Sequence, residues 1–92
     1  MPWSIVEHRS FKRSYKRLSN PAKLATNEAI GKIANNPGIG KTKVGTLTGL
    51  SVYKFKFQGQ LFLIGYTLDT EVRLVYLEDI GSHQNFYRDL SR

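Results

Sequence analysis

The 92-residue sequence contains no cysteine, which excludes disulfide bonds and thiolate metal sites. Small secreted domains usually depend on such cross-links, so we expect a cytoplasmic protein. The sequence also lacks the run of roughly 18 apolar residues that a membrane span requires. Its start, MPWSIVEHRSFKRS, lacks the apolar core of a signal peptide. With two histidines and no cysteine, we expect no metal and no other cofactor.

Acidic residues are scarce as well. Seven Asp and Glu oppose 14 Lys and Arg, which gives a net charge of +7. This excess predicts a polyanionic partner, either nucleic acid, an acidic protein or both; the alternative is a basic surface without a partner. The length and a hydrophobic content of 40% predict one packed domain over residues 1–92.

The first half of the sequence predicts a strand and two helices. Residues 3–7 (WSIVE) are short, apolar and β-branched, as in a strand. Phe11, Tyr15 and Leu18 recur at helical spacing and predict the buried face of a helix within residues 8–20. A second face of this helix forms a basic stripe, which consists of Arg9, Lys12, Arg13, Lys16 and Arg17.

A second helix is predicted from residue 21 to residue 35. Asn20 and Pro21 suit its N-cap and its first helical position. The expected inner face consists of Ala22, Ala25, Ala29, Ile30 and Ile33. Because so few residues join the two helices, we expect an antiparallel helical hairpin.

The second half predicts an antiparallel meander. Residues 43–47 (KVGTL) predict a short edge strand, and longer strands are predicted at 51–57, 60–68 and 71–80, separated by the turns QG and DT. The strand at 60–68 is apolar on both faces, which is typical of a central strand. Residues 81–92 predict a short C-terminal helix or tail. The fold class is therefore α+β, with the hairpin packed on one face of a mainly antiparallel sheet and the other face partly open.

Two lysines lie on one face of the strand at 51–57. Side chains alternate along a strand, so Lys54 and Lys56 point away from Tyr53, Phe55 and Phe57, which we expect to face the helices. The Cα atoms of the two lysines would lie roughly 6.5–7 Å apart. An anion such as a phosphodiester would relieve their repulsion, although two solvated lysines on an open face give the same pattern.

The order of several short motifs resembles the RelE/ParE toxin superfamily of bacterial type II toxin–antitoxin modules. The segment NNPGIGKTKVGTLTGL is similar to the NP…L.G signature of these toxins, and YKFKF is similar to their YKIK strand. The segment IGSH is similar to the junction at which they carry Arg or His after a glycine. Each motif is short, but the resemblance covers nearly the whole chain. It implies a RelE-like, microbial-RNase-like fold and an acidic cognate antitoxin.

The resemblance implies two possible activities. RelE-like toxins cleave mRNA, typically in the ribosomal A site, whereas ParE-like toxins poison DNA gyrase. We predict a RelE-like protein: a metal-independent, ribosome-dependent mRNA endoribonuclease that inhibits translation and is monomeric when free. The alternatives are a gyrase-inhibiting toxin without nuclease chemistry and an inactive nucleic-acid-binding relative.

Site residues follow from the resemblance position by position. Lys54 and Lys56 match the strand lysines, and His83 matches the Arg or His after the glycine. Tyr87 matches a terminal tyrosine that stacks on a base, although its spacing differs. RelE-like toxins usually place an arginine where this sequence has Leu63, so the sequence either lacks one phosphate-binding charge or supplies it from Arg73 or Arg88. The further RNA-binding candidates are Lys41, Lys43 and the basic stripe.

The chemistry assigns a role to each group. RNA supplies its own nucleophile, the 2′-OH. Cleavage needs a base, an acid and cations that stabilise the phosphorane. Histidine titrates near neutral pH, so we assign proton transfer to His83 and phosphate stabilisation to Lys54 and Lys56; which group is the formal base stays open. A surface histidine that caps the terminal helix is the alternative for His83.

Overall fold

The computed structural model describes residues 2–42, 49–83 and 86. Two helices pack on a five-stranded mixed sheet with the strand order β1-β5-β4-β3-β2. Strands β2 to β5 form an antiparallel meander, and β1 pairs in parallel with β5. The elements are β1 (Ser4–Glu7), α1 (Arg9–Lys16), α2 (Asn20–Asn35), a short 3-10 helix (Pro37–Ile39), β2 (Lys41–Thr42), β3 (Ser51–Phe57), β4 (Gln60–Asp69) and β5 (Leu74–Ser82). The predicted α+β class is confirmed.

The main core lies between the helices and one face of the sheet. Phe11 of α1 and Ile33 of α2 are fully buried there against Ile64, Tyr66 and Leu77 of the central strands. The aromatic residues of β3 pack against the same core, as the alternation of the sequence predicts: Tyr53, Phe55 and Phe57. This side of the sheet is the helix face.

A smaller apolar cluster lies on the opposite side of the sheet, which we call the open face. It consists of Leu50, Val52, Leu63 and Phe86. Phe86 is 1% exposed. Strand β4 is therefore covered on both faces, as expected of a central strand.

The second helix begins one residue earlier than expected. Ser19, not Asn20, is its N-cap, and the Ala22 N–H donates to Ser19 Oγ at 3.3 Å. Along the inner face, Ala25 and Ile30 are half-buried. Thr26 is fully buried instead, because its hydroxyl donates to the Ala22 carbonyl at 2.8 Å and so enters the core without an unpaired polar atom.

The start of β5 also differs from the prediction. Strand β5 begins at Leu74 because the residues before it form a wider turn, in which Asp69 Oδ1 accepts from the Glu71 N–H at 3.1 Å and Arg73 has a positive φ of 55°. The edge strand is Lys41–Thr42, and the predicted strand at 43–47 lies outside the described residues. Among the described residues, no helix is long and apolar enough to cross a membrane.

Candidate nucleic-acid interface

Three of the lysines that the structure describes share the open face. Lys54 and Lys56 are exposed on β3, in register with Leu63 and Leu61 of β4. Lys41 of β2 pairs with Val52, which lies in the open-face cluster, so Lys41 points to the same side. As a diagonal neighbour, Lys41 lies about 7–8 Å from Lys54 between Cα atoms, and both line one small depression of about 210 Å³.

A buried tyrosine on the helix face holds the segment that carries Lys41. The Tyr66 hydroxyl donates to the Pro37 carbonyl at 2.6 Å and accepts from the Gly40 N–H at 2.9 Å. A Cβ atom at residue 40 would overlap the Tyr66 hydroxyl oxygen, so this close approach requires glycine. The hydroxyl therefore fixes the chain one residue before Lys41.

The hydroxyl of Tyr66 is expected to contribute measurably to stability. Tyr66→Phe would leave the Gly40 N–H and the Pro37 carbonyl without their partner, which costs about 1–3 kcal/mol of the free energy of unfolding. Urea unfolding measures this loss. The matched control is Tyr53→Phe, because the half-buried Tyr53 packs through its ring and should lose much less. Equal losses in the two variants would contradict a structural role for the Tyr66 hydroxyl.

The same group gives the stability a dependence on alkaline pH. Burial raises the pKa of Tyr66 above the usual value of 10, and the hydrogen bond from Gly40 partly counteracts this. Because the folded-state pKa is the higher one, the contribution is complete below pH 10 and is lost as the pH rises through the folded-state value. The free energy of unfolding should therefore fall above pH 10 in the native protein and fall less in Tyr66→Phe.

His83 leaves the sheet at the end of β3 that carries Lys56. Ser82, the last residue of β5, pairs with Phe62 of β4. The residue next to Phe62 is Leu61, and Leu61 pairs with Lys56 of β3. His83 is exposed and helical, directly after β5. Two strand spacings separate β5 from β3, about 9.6 Å. Lys56 and His83 therefore lie at the same end of the sheet, and a lysine side chain spans much of the distance between their strands.

Phe86 is buried on the open face against glycines of β4 and β5. A Cβ atom at Gly65 would lie 2.7 Å from Phe86 Cζ and 3.3 Å from a methyl carbon of Leu50, so the ring occupies the space that a larger residue would fill. The backbone of Phe86 lies over Gly81, 3.7 Å from the position of a Cβ atom there. Gly65 of β4 and Gly81 of β5 therefore leave a shallow depression on the open face, and the Phe86 ring lies in it.

The structure separates other predicted residues from this face. Arg73 lies in the β4–β5 turn, at the end of β5 opposite to Ser82 and roughly 30 Å away. Its guanidinium lies 5.3 Å from the Trp3 ring centroid. Arg73 therefore does not supply the positive charge of the arginine that was expected at the position of Leu63. Lys41 is the described residue best placed to do so. Lys43, Tyr87 and Arg88 lie outside the described residues.

The basic stripe lies on the other side of the sheet. All five of its residues are exposed, but α1 packs on β5 through Phe11 in the helix-face core. One short stretch of RNA on the open face would therefore not reach it. His8 is exposed at the N-cap of α1, with Nε2 3.7 Å from Glu78 Oε2.

The sequence pattern gives no indication of the buried carboxylate of Asp79. Asp79 is 5% exposed, and its Oδ1 accepts from the Ser14 hydroxyl at 2.6 Å and from the Ile80 N–H at 2.8 Å. The register shifts between Gly65 and Tyr66, so β5 is bulged here. The pattern of the sequence contains no signal for such a bulge. The hydrogen bond from Ser14 to Asp79 connects α1 to β5, so Asp79 has a structural role.

Comparison with known proteins gives one family and one fold. Residues 5–91 match the family model for the ParE-like toxin of type II bacterial toxin–antitoxin systems. No curated protein matches the chain.

Three solved structures illustrate the fold. The RelBE2 toxin–antitoxin complex from Mycobacterium tuberculosis has a TM-score of 0.76 at 20% identity, over 90% of this chain and 100% of that one. A double mutant of the Escherichia coli toxin RelE in the free state has a TM-score of 0.71 at 14% identity, over 92% and 87%. The intact Escherichia coli RelBE complex has 0.69 at 14%, over 86% and 94%.

Proposed function

We propose that this chain, which belongs to the ParE-like toxins of type II bacterial toxin–antitoxin systems, acts as an mRNA endoribonuclease that inhibits translation. The observation that supports this activity is the arrangement of the open face. Lys41, Lys54 and Lys56 point to one side of the sheet, and His83 follows the strand that ends beside them. This is a phosphate-binding surface with a proton-transfer group at its edge.

The proposed reaction uses the RNA's own nucleophile. A base removes the 2′-OH proton, the 2′-oxygen attacks the adjacent phosphorus, and an acid protonates the departing 5′-oxygen. The products are a 2′,3′-cyclic phosphate and a 5′-hydroxyl. His83 takes part in proton transfer, and the ammonium groups of Lys54 and Lys56 stabilise the charge that develops on the phosphorane oxygens. The cations are provided by the protein, so the reaction is metal-independent.

The apolar side chain of Leu63 affects how strongly the neighbouring lysines interact with a phosphate. This side chain is fully buried between Lys54 and Gly81, where it forms part of the apolar floor of the open face. An apolar floor strengthens the interaction of neighbouring ammonium groups with a phosphate, because it excludes water from one side. Lys41 adds the third cation from β2.

The other proposed contacts involve larger partners. The basic stripe suits ribosomal RNA, because it faces away from the open face and could hold a second RNA segment while mRNA occupies the site. Three of the similar structures include an antitoxin or a segment of one. We propose an acidic antitoxin for this chain as well, since its charge of +7 favours an acidic segment. A cytoplasmic location follows from these partners.

Primer extension on mRNA after induction of the toxin tests the proposed reaction. We expect new 5′ ends in phase with codons, because a ribosome-bound nuclease meets mRNA one codon at a time. The same mRNA incubated with purified protein and no ribosomes should be cut far more slowly. Intact mRNA in cells whose growth has stopped would exclude the endoribonuclease.

Inhibition of DNA gyrase is the second candidate function. It is favoured by the matching family model, which describes ParE-like toxins, and by Leu63 at the position of an expected arginine. Supercoiling by purified gyrase at saturating protein distinguishes the two activities. Normal gyrase turnover would exclude this candidate. Unimpaired growth during overexpression without antitoxin would exclude both and favour an inactive nucleic-acid-binding relative.

A further inference from the structure

A group of ring and polar side chains on the open face takes no part in the proposed reaction. Val75 and Leu77 of β5 are fully buried in the helix-face core, so Tyr76 between them points to the open face. It pairs with Thr67 of β4 on one side and with Val6 of β1 on the other. Tyr76 is half-buried and Val6 is 38% exposed, so a ligand in solution can reach this part of the face.

Two rings in this group stand nearly perpendicular to each other. His8 follows β1 directly, and its ring centroid lies 5.5 Å from that of Tyr76, with an angle of 77° between the ring planes. A planar group that lies parallel to the Tyr76 ring would therefore meet the His8 ring in an edge-to-face contact, which is also favourable between aromatic rings. This pair, which we call the ring corner, suits a flat aromatic ligand.

A carboxylate lies beside the ring corner. Glu78 Oε2 accepts from the Thr67 hydroxyl at 2.9 Å, and His8 Nε2 lies 3.7 Å from the same oxygen. The Glu78 side chain is 28% exposed, and its Oε1 accepts no hydrogen bond from the described residues. Thr67 thus holds the carboxylate in place, and one oxygen is available to a ligand. Because a carboxylate repels phosphate, the matching ligand group is a hydrogen-bond donor.

The ring corner lies within reach of an RNA strand that is held by the lysines. Lys54 pairs with Leu63, and Tyr76 pairs with Thr67, which lies four residues further along β4. Two strand spacings and this length of strand place the Cα atoms of Lys54 and Tyr76 roughly 16 Å apart. About five stacked nucleotides, or fewer extended ones, cover this distance. Phe86 lies on the open face between the two groups, so the strand would pass over its ring.

We propose that the ring corner binds one unpaired guanine base of the RNA, away from the phosphate that is cleaved. The base would stack on Tyr76, because every base has a π-face that suits an aromatic side chain. Its N1–H and N2–H groups would donate to Glu78. Among the four standard RNA bases, guanine alone presents two adjacent donors on its Watson–Crick edge, so a carboxylate discriminates in its favour. The inference rests on the proposed RNA substrate and adds a preference for guanine a few nucleotides from the cleavage site.

An RNA that cannot be cleaved tests this site without ribosomes or nuclease activity. The probes are two uridine heptamers in which every 2′-OH is methylated, one with a central guanosine and one with a central adenosine. Both purines stack, so a difference between them reports the contact with the base edge. We expect the guanosine heptamer to bind about fivefold more tightly and to shift the amide NMR signals of residues 76–78. Equal affinities, or shifts confined to β3, would overturn the proposal.

Matched variants identify the role of the carboxylate. Glu78→Gln and Glu71→Gln remove the same charge, and Glu71 is exposed in the β4–β5 turn. Both should strengthen the binding of either heptamer slightly, because the RNA then meets one negative charge fewer. We expect Glu78→Gln to abolish the preference for guanosine and Glu71→Gln to retain it. Loss of the preference in both variants, or in neither, would contradict the assignment of Glu78.

The stacking surface has its own pair of variants. Tyr76→Leu keeps an apolar side chain over the sheet but removes the aromatic plane, and it should weaken the guanosine heptamer roughly tenfold. Tyr76→Phe retains the ring and should bind nearly as the native protein does; equal weakening in both variants would exclude stacking. Because no measurement requires cleavage, a guanosine preference in a protein that leaves mRNA intact would uphold this site while excluding the proposed reaction. Codon-phased cleavage by a protein without this preference would do the reverse.

Discussion

Lys54→Ala/Lys56→Ala is expected to reduce mRNA cleavage by roughly 10³-fold or more, since loss of a single group that stabilises transition-state charge commonly costs about 10²–10³ in rate. Both side chains are exposed, so their truncation should leave the thermal unfolding temperature nearly unchanged. Single-turnover cleavage on programmed ribosomes measures the rate. The effect should fall on the chemical step, because the neighbouring Lys41 still contributes to phosphate binding.

The control separates chemistry from general attraction to RNA. Lys12→Ala/Lys16→Ala removes the same charge from the basic stripe, on the other side of the sheet. It should weaken ribosome binding and reduce its dependence on salt, with little change in the rate at saturation. Full toxicity of a variant that lacks Lys54, Lys56 and also His83 would show that the open face is not the active surface.

Local patterns were sufficient to predict which face each β3 residue occupies. Alternation alone assigns Phe55 to the helices and Lys54 to the open face, and the structure agrees. Turn composition likewise predicts the hairpin at residues 58–59, where Gln58 and Gly59 both have positive φ. These features depend on residues that are neighbours in the sequence, so local sequence patterns are enough to predict them.

Features that depend on pairing between distant segments were not predictable. The parallel contact of β1 with β5 joins residues about 70 positions apart and leaves no periodic signal. The face of Lys41 depends on its register with Val52 of the next strand. Tyr66 has the alternation of a core residue, but nothing local indicates that its hydroxyl holds Pro37 and Gly40.

Phe86→Ala is expected to cause the largest loss of stability, about 3–5 kcal/mol of the free energy of unfolding, because it removes a buried ring and leaves a cavity. Small domains have total stabilities of about 5–15 kcal/mol, so a large fraction would be lost. Urea unfolding measures the effect. Phe86→Leu retains most of the volume and should lose far less.

A double-mutant cycle with Gly65 tests whether the ring lies where the structure places it. In the native background Gly65→Ala should be destabilising, because the new methyl group would lie 2.7 Å from Phe86 Cζ and the ring must move. In the Phe86→Ala background the same methyl group enters empty space, so Gly65→Ala should be neutral or stabilising. The expected interaction energy is about 1–3 kcal/mol. Additive losses would mean that Phe86 does not rest on Gly65.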